Sequence, residues 1–502
     1  MTATADPELD RAKSLQANEQ RVTELLDGQH RLLIDGQLRP ARSGKTFTVT
    51  SPYSEEAIAE VPDGDGSDVE DAVAAARRAF PSWSALSAPG RAEYCRRLAD
   101  AIELRANDFA LLDAVDGGAP ISVMATDVRI GVETLRYFAG LALESKGYTT
   151  PASPNLHFTE LQPYGVVARI IPFNHPIMFA VSKIAAPLVA GNTLVLKPSE
   201  YTPLSALLLA QICAELLPPG VVNIVVGDGK GVPDTLVRHP DVRRIGFTGS
   251  ERVGRAIQVA AAESAVKAVS LELGGKNALI AYPDADPAAV AAGVVAGMNF
   301  TWAGQSCGST SRLLVHSSLR DNVIERVCAA LTNRVFLPPL HPDATLGTVV
   351  NRAQYERILA HIDAAVTEGA DILCGGGPPP GVDQGLFIAP TVLAGVRPDH
   401  TAATEEIFGP VLAVMEWDDE DEALRIANGV QYGLTGSIYT NDIRRAHRAA
   451  RTLETGYVWI NGTAVHHLGV PYGGWKASGI GKEEALEELL SYQQSKSVNV
   501  YL

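Results

Sequence analysis

The 502-residue chain is poor in cysteine. It has five, Cys95, Cys213, Cys307, Cys328 and Cys374, scattered and odd in number, with no C-x-x-C pair. That argues against a disulfide framework and a cysteine-built zinc site, and it points to a reducing compartment, expected to be the cytoplasm. Long apolar runs are missing too: none reaches the roughly 18–20 residues of a membrane span, and the polar stretch 1–29 lacks the apolar centre of a signal peptide. Positive charge is short, with 42 Lys and Arg against 58 Asp and Glu and a net charge of −16. Nucleic acid and anionic membrane surfaces are therefore poor candidate partners. There is no internal repeat and no low-complexity tract. What remains, 46% hydrophobic and 20% charged, is an ordinary globular composition. At this length it is expected to form two or three domains.

Residues 1–29 read as a polar helical extension. Leu32–Ile34 reads as a strand, and Thr46 to Val61 as a strand pair. Ser67-Asp68-Val69-Glu70 has the pattern of a capping box opening a helix to about Phe80. Helical patterns follow from Arg91 to Asn107, through Asp113, and from Asp127 to Leu143. The proline-containing stretch Thr149 to Gln162 interrupts them. From Val166 the character changes. Strands at Val166–Ile171, Thr193–Leu196, Val222–Val226, Arg244–Phe247 and Ala268–Leu271 alternate with helices near 177–189, 203–217 and 251–262. This order predicts a parallel sheet covered on both faces, a dinucleotide-binding unit. A second series starts near Asn277. Its strands lie near Ala278–Ala281, Arg312–His316, Asp371–Cys374, Leu386–Thr391, Val411–Val414, Gly436–Tyr439 and Val458–Asn461, and its helices near 286–302, 318–334, 351–367, 419–428 and 442–453. The end, Ser495 to Leu502, alternates like a strand with nothing left in the chain to pair with, which suggests a partner in a neighbouring subunit.

Several stretches carry chemistry. Ala303-Gly304-Gln305-Ser306-Cys307-Gly308-Ser309-Thr310 sets one cysteine among small residues. Cys307 is either a small buried hydrophobe or a nucleophile whose thiolate a helix terminus and a nearby base favour. Thr248-Gly249-Ser250 follows a strand and opens a helix, where free N–H groups suit phosphate. Gly227-Asp228-Gly229-Lys230-Gly231 does likewise, but Asp228 would repel phosphate. Lys197 and Glu200 end a strand, as a surface pair or as a ribose site; an acid there favours NAD over NADP. In Leu271-Glu272-Leu273-Gly274-Gly275-Lys276-Asn277, Glu272 is a buried, satisfied carboxylate or a general base. Asn174, in a rigid turn, caps the next helix or offers its N–H to an oxyanion. His466-His467 reads as pocket wall; with no third ligand nearby, a metal is not expected.

Together these segments resemble the NAD(P)-dependent aldehyde dehydrogenase superfamily, from about residue 32 to the C-terminus. The combination of L-E-L-G-G-K-N-A, G-Q-x-C, Glu406-Ile407-Phe408-Gly409-Pro410 and Pro471-Tyr472-Gly473-Gly474 carries the resemblance. It implies an α/β fold with a Rossmann-like cofactor domain (1–148 and 166–273), an α/β catalytic domain (274–484) and a small β oligomerisation element (149–165 and 485–502). It also implies a homo-oligomer, a tetramer before a dimer. Cys307 matches the nucleophile, and Asn174 with the Cys307 N–H matches the oxyanion hole. Glu272 matches the base for deacylation, and Lys183 and Glu483 match a supporting proton relay. Lys197, Glu200, Phe247, Thr248, Gly249, Ser250, Leu273, Gly274, Glu406 and Phe408 match cofactor contacts, with NAD expected and NADP the weaker alternative.

By position, His175, Phe179, Ser182, Trp302, Ser306, His466 and Tyr472 line the acyl pocket. Having no Arg or Lys, this set suits a medium-sized apolar or aromatic aldehyde. His175 stands where bulky apolar residues are usual in the family, and Trp475 where Tyr is common. The implied reaction is oxidation of an aldehyde to the acid through a thiohemiacetal and a thioester. A cofactor-free esterase would use the same thiol, and strict dependence on NAD separates the two.

Overall fold

The computed structural model describes residues 7–332 and 334–502. The first six residues of the expected N-terminal helix, and Asn333 at the end of the expected 318–334 helix, lie outside them. Two sheets organise the chain. In the first, Val222–Ile224, Thr193–Lys197, Val166–Ile170, Val242–Thr248 and Ala268–Glu272 run parallel in that order. Antiparallel strands close both sides: Leu32–Ile34 with Gln37–Arg39 on one, Gly479–Ile480 on the other. In the second sheet, Thr391–Ala394, Val411–Trp417, Arg312–His316, Ala278–Ala281, Thr435–Tyr439 and Tyr457–Ile460 run parallel, and Asp371–Cys374 pairs antiparallel at one edge. The central parallel strands are buried on both faces, which is why they read as continuous β-branched runs.

Local differences from the sequence reading have physical causes. The helix after the antiparallel pair Thr46–Thr50 and Ala57–Pro62 is Gly66–Ala85, capped by Asp65 and Asp68 rather than by Ser67 and Glu70. Asp65 accepts the Ser67 N–H at 2.8 Å, and Asp68 accepts the Asp65 N–H at 3.2 Å. The helix also runs through Pro81 instead of stopping at Phe80. The expected 286–302 helix is Pro287–Gly297 followed by a short 3-10 turn, Phe300–Trp302. Asn299 and Ala303 flank that turn with φ of 53° and 52°, left-handed values that no helix can continue through. Residues 386–390 are irregular, and that strand begins at Thr391.

The terminal strand has a partner in its own chain. Gln493–Val500 pairs antiparallel with Leu156–Pro163, from Gln493↔Pro163 to Val500↔Leu156. Just before it, Leu489 and Tyr492 are buried in the core of the first sheet. The Tyr492 hydroxyl accepts from Arg169 Nη1, its carbonyl accepts from Asn192 Nδ2 at 3.0 Å, and the Arg244 guanidinium lies 4.3 Å from its ring centre. Among the described residues, no helix is long and apolar enough to cross a membrane. Tyr492→Phe strands one donor of the buried Arg169 guanidinium. It is expected to cost about 1–3 kcal/mol, measured as a lower midpoint of urea unfolding.

Candidate active site

The parallel strands of the first sheet end in register. Lys197 pairs with Ile170, Ile170 with Phe247, Phe247 with Leu271, and Thr248 with Glu272. The loops leaving this row carry Asn174 and His175, Gly249 and Ser250, and Leu273 and Gly274. That is the edge of a parallel sheet where ligands gather. From Glu272 the chain reaches Ala278, the first residue of a second-sheet strand, in six residues. The L-E-L-G-G-K-N-A segment therefore bridges the C-terminal edge of one sheet and the N-terminal edge of the other.

Asn277 fixes the cysteine loop at this bridge. Its Nδ2 donates to the Cys307 carbonyl at 2.7 Å and to the Ser309 carbonyl at 2.9 Å, while its Oδ1 accepts the Thr435 N–H at 3.0 Å. Gln305 holds the other side, donating to the Thr348 carbonyl at 3.1 Å and accepting the Val350 N–H at 3.0 Å. Gly304 is required by shape: its φ is +70°, and a Cβ would come within 2.1 Å of the Gly409 carbonyl. Cys307 is half-buried, with Sγ 3.9 Å from the Tyr472 hydroxyl. Its thiol is pushed up to about 12 by burial, with Glu406 and Glu272 adding and Tyr472 and Lys183 opposing. The expectation that its surroundings favour the thiolate is therefore corrected: in the chain alone burial and the two carboxylates favour the thiol over the thiolate. The Cys307 N–H donates to no protein acceptor among the described residues.

Asn174 does not cap the following helix; the capping position belongs to His175, whose side chain makes no cap bond. Asn174 Nδ2 instead donates to the Gln305 carbonyl at 2.9 Å, which brings it to the cysteine loop. Glu272 is 5% exposed, and neither carboxylate oxygen has a partner. Burial, then the charge of Glu483, holds its carboxyl well above the usual range, while Lys183 and Lys482 oppose. Glu483 is paired with Lys183 and lies 3.1 Å from Arg169 Nη2; despite its burial these two cations pull it down to about 2.

The cofactor candidates lie along the same edge. Lys197 Nζ and Glu200 Oε2 are 2.7 Å apart. Ser250 caps the helix Glu251–Ser264, and the Gly249 N–H donates to the Glu272 carbonyl at 3.0 Å. Glu406 accepts the Gly275 N–H at 2.9 Å, and burial pushes it up to about 7. A Cβ on Gly274 would fall 2.0 Å from its carboxylate. Phe408, at φ 54°, packs edge-on to Phe173 at 5.8 Å.

The pocket candidates form two aromatic groups. His175 lies 5.7 Å from Phe179 and 5.3 Å from Trp302. His466 lies 4.3 Å from Tyr472 and also packs on Tyr457 and Trp459, while its Nδ1 is 3.1 Å from Glu484. Ser182 is turned into its own helix, bonding the Met178 carbonyl at 2.6 Å. Ser306 sits beside Glu406 and Phe408. Sequence reasoning missed Asp127, Arg169, Tyr457, Trp459 and the roles of Asn277 and Gln305. Tyr457 and Trp459 had a signal, two aromatics on one face of a strand; the others act across the fold.

The sequence profile of the aldehyde dehydrogenase family matches residues 39–498. Aldehyde dehydrogenase tropH of Talaromyces stipitatus is 42% identical over 96% of this chain and 95% of its own length. The NAD+ complex of a Bacillus cereus aldehyde dehydrogenase superposes with a TM-score of 0.93 at 35% identity, covering 99% of both chains. The indole-3-acetaldehyde dehydrogenase of P. syringae, a mutant in complex with NAD+ and IAA, superposes at 0.94 and 36% identity, covering 97% of this chain and 99% of its own. Fold, cleft and relatives agree over nearly the whole length, and the chain belongs to the aldehyde dehydrogenase family.

Proposed function

We propose that this chain oxidises a medium-sized apolar or aromatic aldehyde to its carboxylic acid with NAD. The observation that carries the reading is the convergence of Cys307, Asn174 and an unpartnered, buried Glu272 where the two sheets meet. The residues present fit a dinucleotide. Gly274 gives the Glu406 carboxylate a place that a Cβ would take, and the Gly275 N–H holds that carboxylate there, where it could accept from a ribose hydroxyl. Lys197 and Glu200 suit the adenosine ribose, and Glu200 would repel a 2′-phosphate, favouring NAD over NADP. Phe247, Thr248, Gly249 and Ser250 line the turn where the pyrophosphate would meet a helix N-terminus, while Leu273 and Phe408 flank the nicotinamide end. When bound, the nicotinamide supplies the oxidation by accepting hydride.

The chain's own groups do the rest. As Cys307 Sγ attacks the carbonyl carbon its proton leaves to solvent, so Glu272 is still unprotonated when the later step needs a base. The oxygen of the thiohemiacetal becomes negative, and Asn174 Nδ2 and the Cys307 N–H are the donors assigned to it. After oxidation the thioester carbon is attacked by water. Glu272 takes a proton from that water, the C–S bond breaks, and the acid leaves. We assign Lys183 and Glu483 to electrostatic support of Glu272. With Glu483 near 2, it stays anionic and is poorly suited to carry protons at neutral pH. The ribbon of Leu156–Pro163 and Gln493–Val500 is a two-stranded sheet, with Tyr501 and Leu502 exposed beyond it. Such a ribbon is marginal alone, which supports a homo-oligomer; the tetramer before a dimer follows from the family resemblance, and the cytoplasm from the scattered free cysteines.

Purified protein with NAD and a panel of aldehydes tests the reading by the absorbance of reduced nicotinamide. Cys307→Ala is expected to lose at least about a thousandfold in kcat/KM; equal rates in both proteins would sink the assignment. Glu272→Gln is expected to lower steady-state turnover about 10²–10⁴-fold while keeping a single-turnover burst, with the acyl group found on Cys307 by mass spectrometry. Gly274→Ala displaces the Glu406 carboxylate and is expected to weaken NAD binding about tenfold to a hundredfold, the worth of a hydrogen bond to a charged group, read by calorimetry. Because raising the pH ionises the thiol, alkylation of Cys307 in the cofactor-free protein should climb about tenfold per unit from about pH 7 to about pH 9.5. It should show no plateau, in keeping with a thiol at about 12.

A further inference from the structure

Behind the aromatic wall of the pocket lies a buried carboxylate that the mechanism does not use. Asp127, 1% exposed, is on the helix Ile121–Gly140, and its Oδ2 lies 2.8 Å from His175 Nδ1. His175 follows Asn174 directly, and its ring meets Phe179 edge-on at 87° and Trp302 at 48°. Trp302 leads into the cysteine loop. The imidazole is thus tied at Nδ1 and flanked by aromatic rings on the approach to Cys307. Its Nε2 is bonded to no protein atom among the described residues and is not sealed off.

A carboxylate accepts, so Nδ1 carries the proton, and in the neutral ring Nε2 is left as an acceptor. The start of the helix Pro176–Ala190 has an anchor besides this pair. Asp113 Oδ2 already accepts the Ile177 N–H at 2.9 Å. Burial pushes Asp113 up to about 7, with Asp127 adding to the rise; the imidazole's contact is with Asp127 Oδ2, at 2.8 Å. An aldehyde that fills this wall with carbon alone would strand Nε2 out of water, which costs binding. One that presents a donor would satisfy it.

We infer that the Asp127–His175 pair selects aromatic aldehydes whose ring carries a hydrogen-bond donor, a phenolic hydroxyl or a ring N–H, with His175 Nε2 as the acceptor. This rests on the aldehyde reading above and adds the substrate class. His175 is a specificity residue, and Asp127 acts through it as a positioning residue.

The test compares kcat/KM for phenylacetaldehyde, its meta- and para-hydroxy derivatives and the matching methoxy derivatives, and for indole-3-acetaldehyde against its N-methyl form. At one ring position the donor-bearing aldehyde is expected to exceed its donor-free counterparts by about tenfold to a hundredfold, mostly through KM. The hydroxyl arm and the indole arm separate the two donor types. In His175→Phe and Asp127→Asn the ratio is expected to fall to about one. Ratios within about twofold in the wild-type protein overturn the inference, and this readout does not depend on either variant folding. A ratio that survives in His175→Phe overturns it as well. In both cases turnover of aldehydes leaves the proposed reaction standing, whereas no reduction of NAD by any aldehyde overturns both.

Discussion

Glu483 lies buried between Arg169 and Lys183, and much of the site depends on that contact. Taking such charges out of water costs several kcal/mol each, and removing one partner of a buried pair typically costs about 3–5 kcal/mol. Two cations against one firm anion leave about one positive charge over. The neighbouring Glu488 is pushed up to about 7 by burial, with the charge of Glu483 adding. Close by are two groups that burial disfavours in their charged forms, Glu272 and Cys307. Lys183 opposes the rise of both. One cluster thus closes the C-terminal segment onto the first sheet and sets opposing charges beside Glu272, Glu483 raising its carboxyl and Lys183 lowering it.

The second constraint is the handover between the sheets. A strand that ends at Glu272 and another that begins at Ala278 leave space for little but glycine and polar side chains. Within that space Gly274 makes room beside Glu406, and Asn277 pins the loop of Cys307. The groups proposed for the chemistry come from positions 174, 272, 307, 406, 472 and 483. None could be placed by its immediate neighbours; the register of the parallel strands aligns them.

How legible this was depended on how local the cause was. Ala278–Ala281 and Arg312–His316 stand where the β-branched runs put them, because strands buried on both faces leave a continuous apolar signature. The motif residues also came together at one edge. The break after Gly297 was not legible, since Asn299 and Ala303 adopt left-handed backbone that only tertiary contact imposes. The capping of Gly66–Ala85 was misplaced by two residues because either of two acid or hydroxyl patterns fits the local sequence. The Asp127–His175 bond spans 48 positions and the Arg169–Glu483 bond 314; neither has any local trace. The thiol of Cys307 lies high because of burial, which composition does not report.

The same long-range closure bears on the order in which the molecule is made. Arg169 belongs to a central strand of the first sheet, yet its partners, Glu483 and Tyr492, lie 314 and 323 positions later in the chain and are made well after it. Until they emerge, a compact N-terminal half would enclose a guanidinium with no counter-ion, and Gly479–Ile480 would be missing from the edge beside Glu272. The nascent chain therefore gains little by sealing that core early. Completion of the sheet waits for Gly479–Ile480 and the residues up to Tyr492, and the pocket that handles reactive carbonyl compounds forms only after they are made.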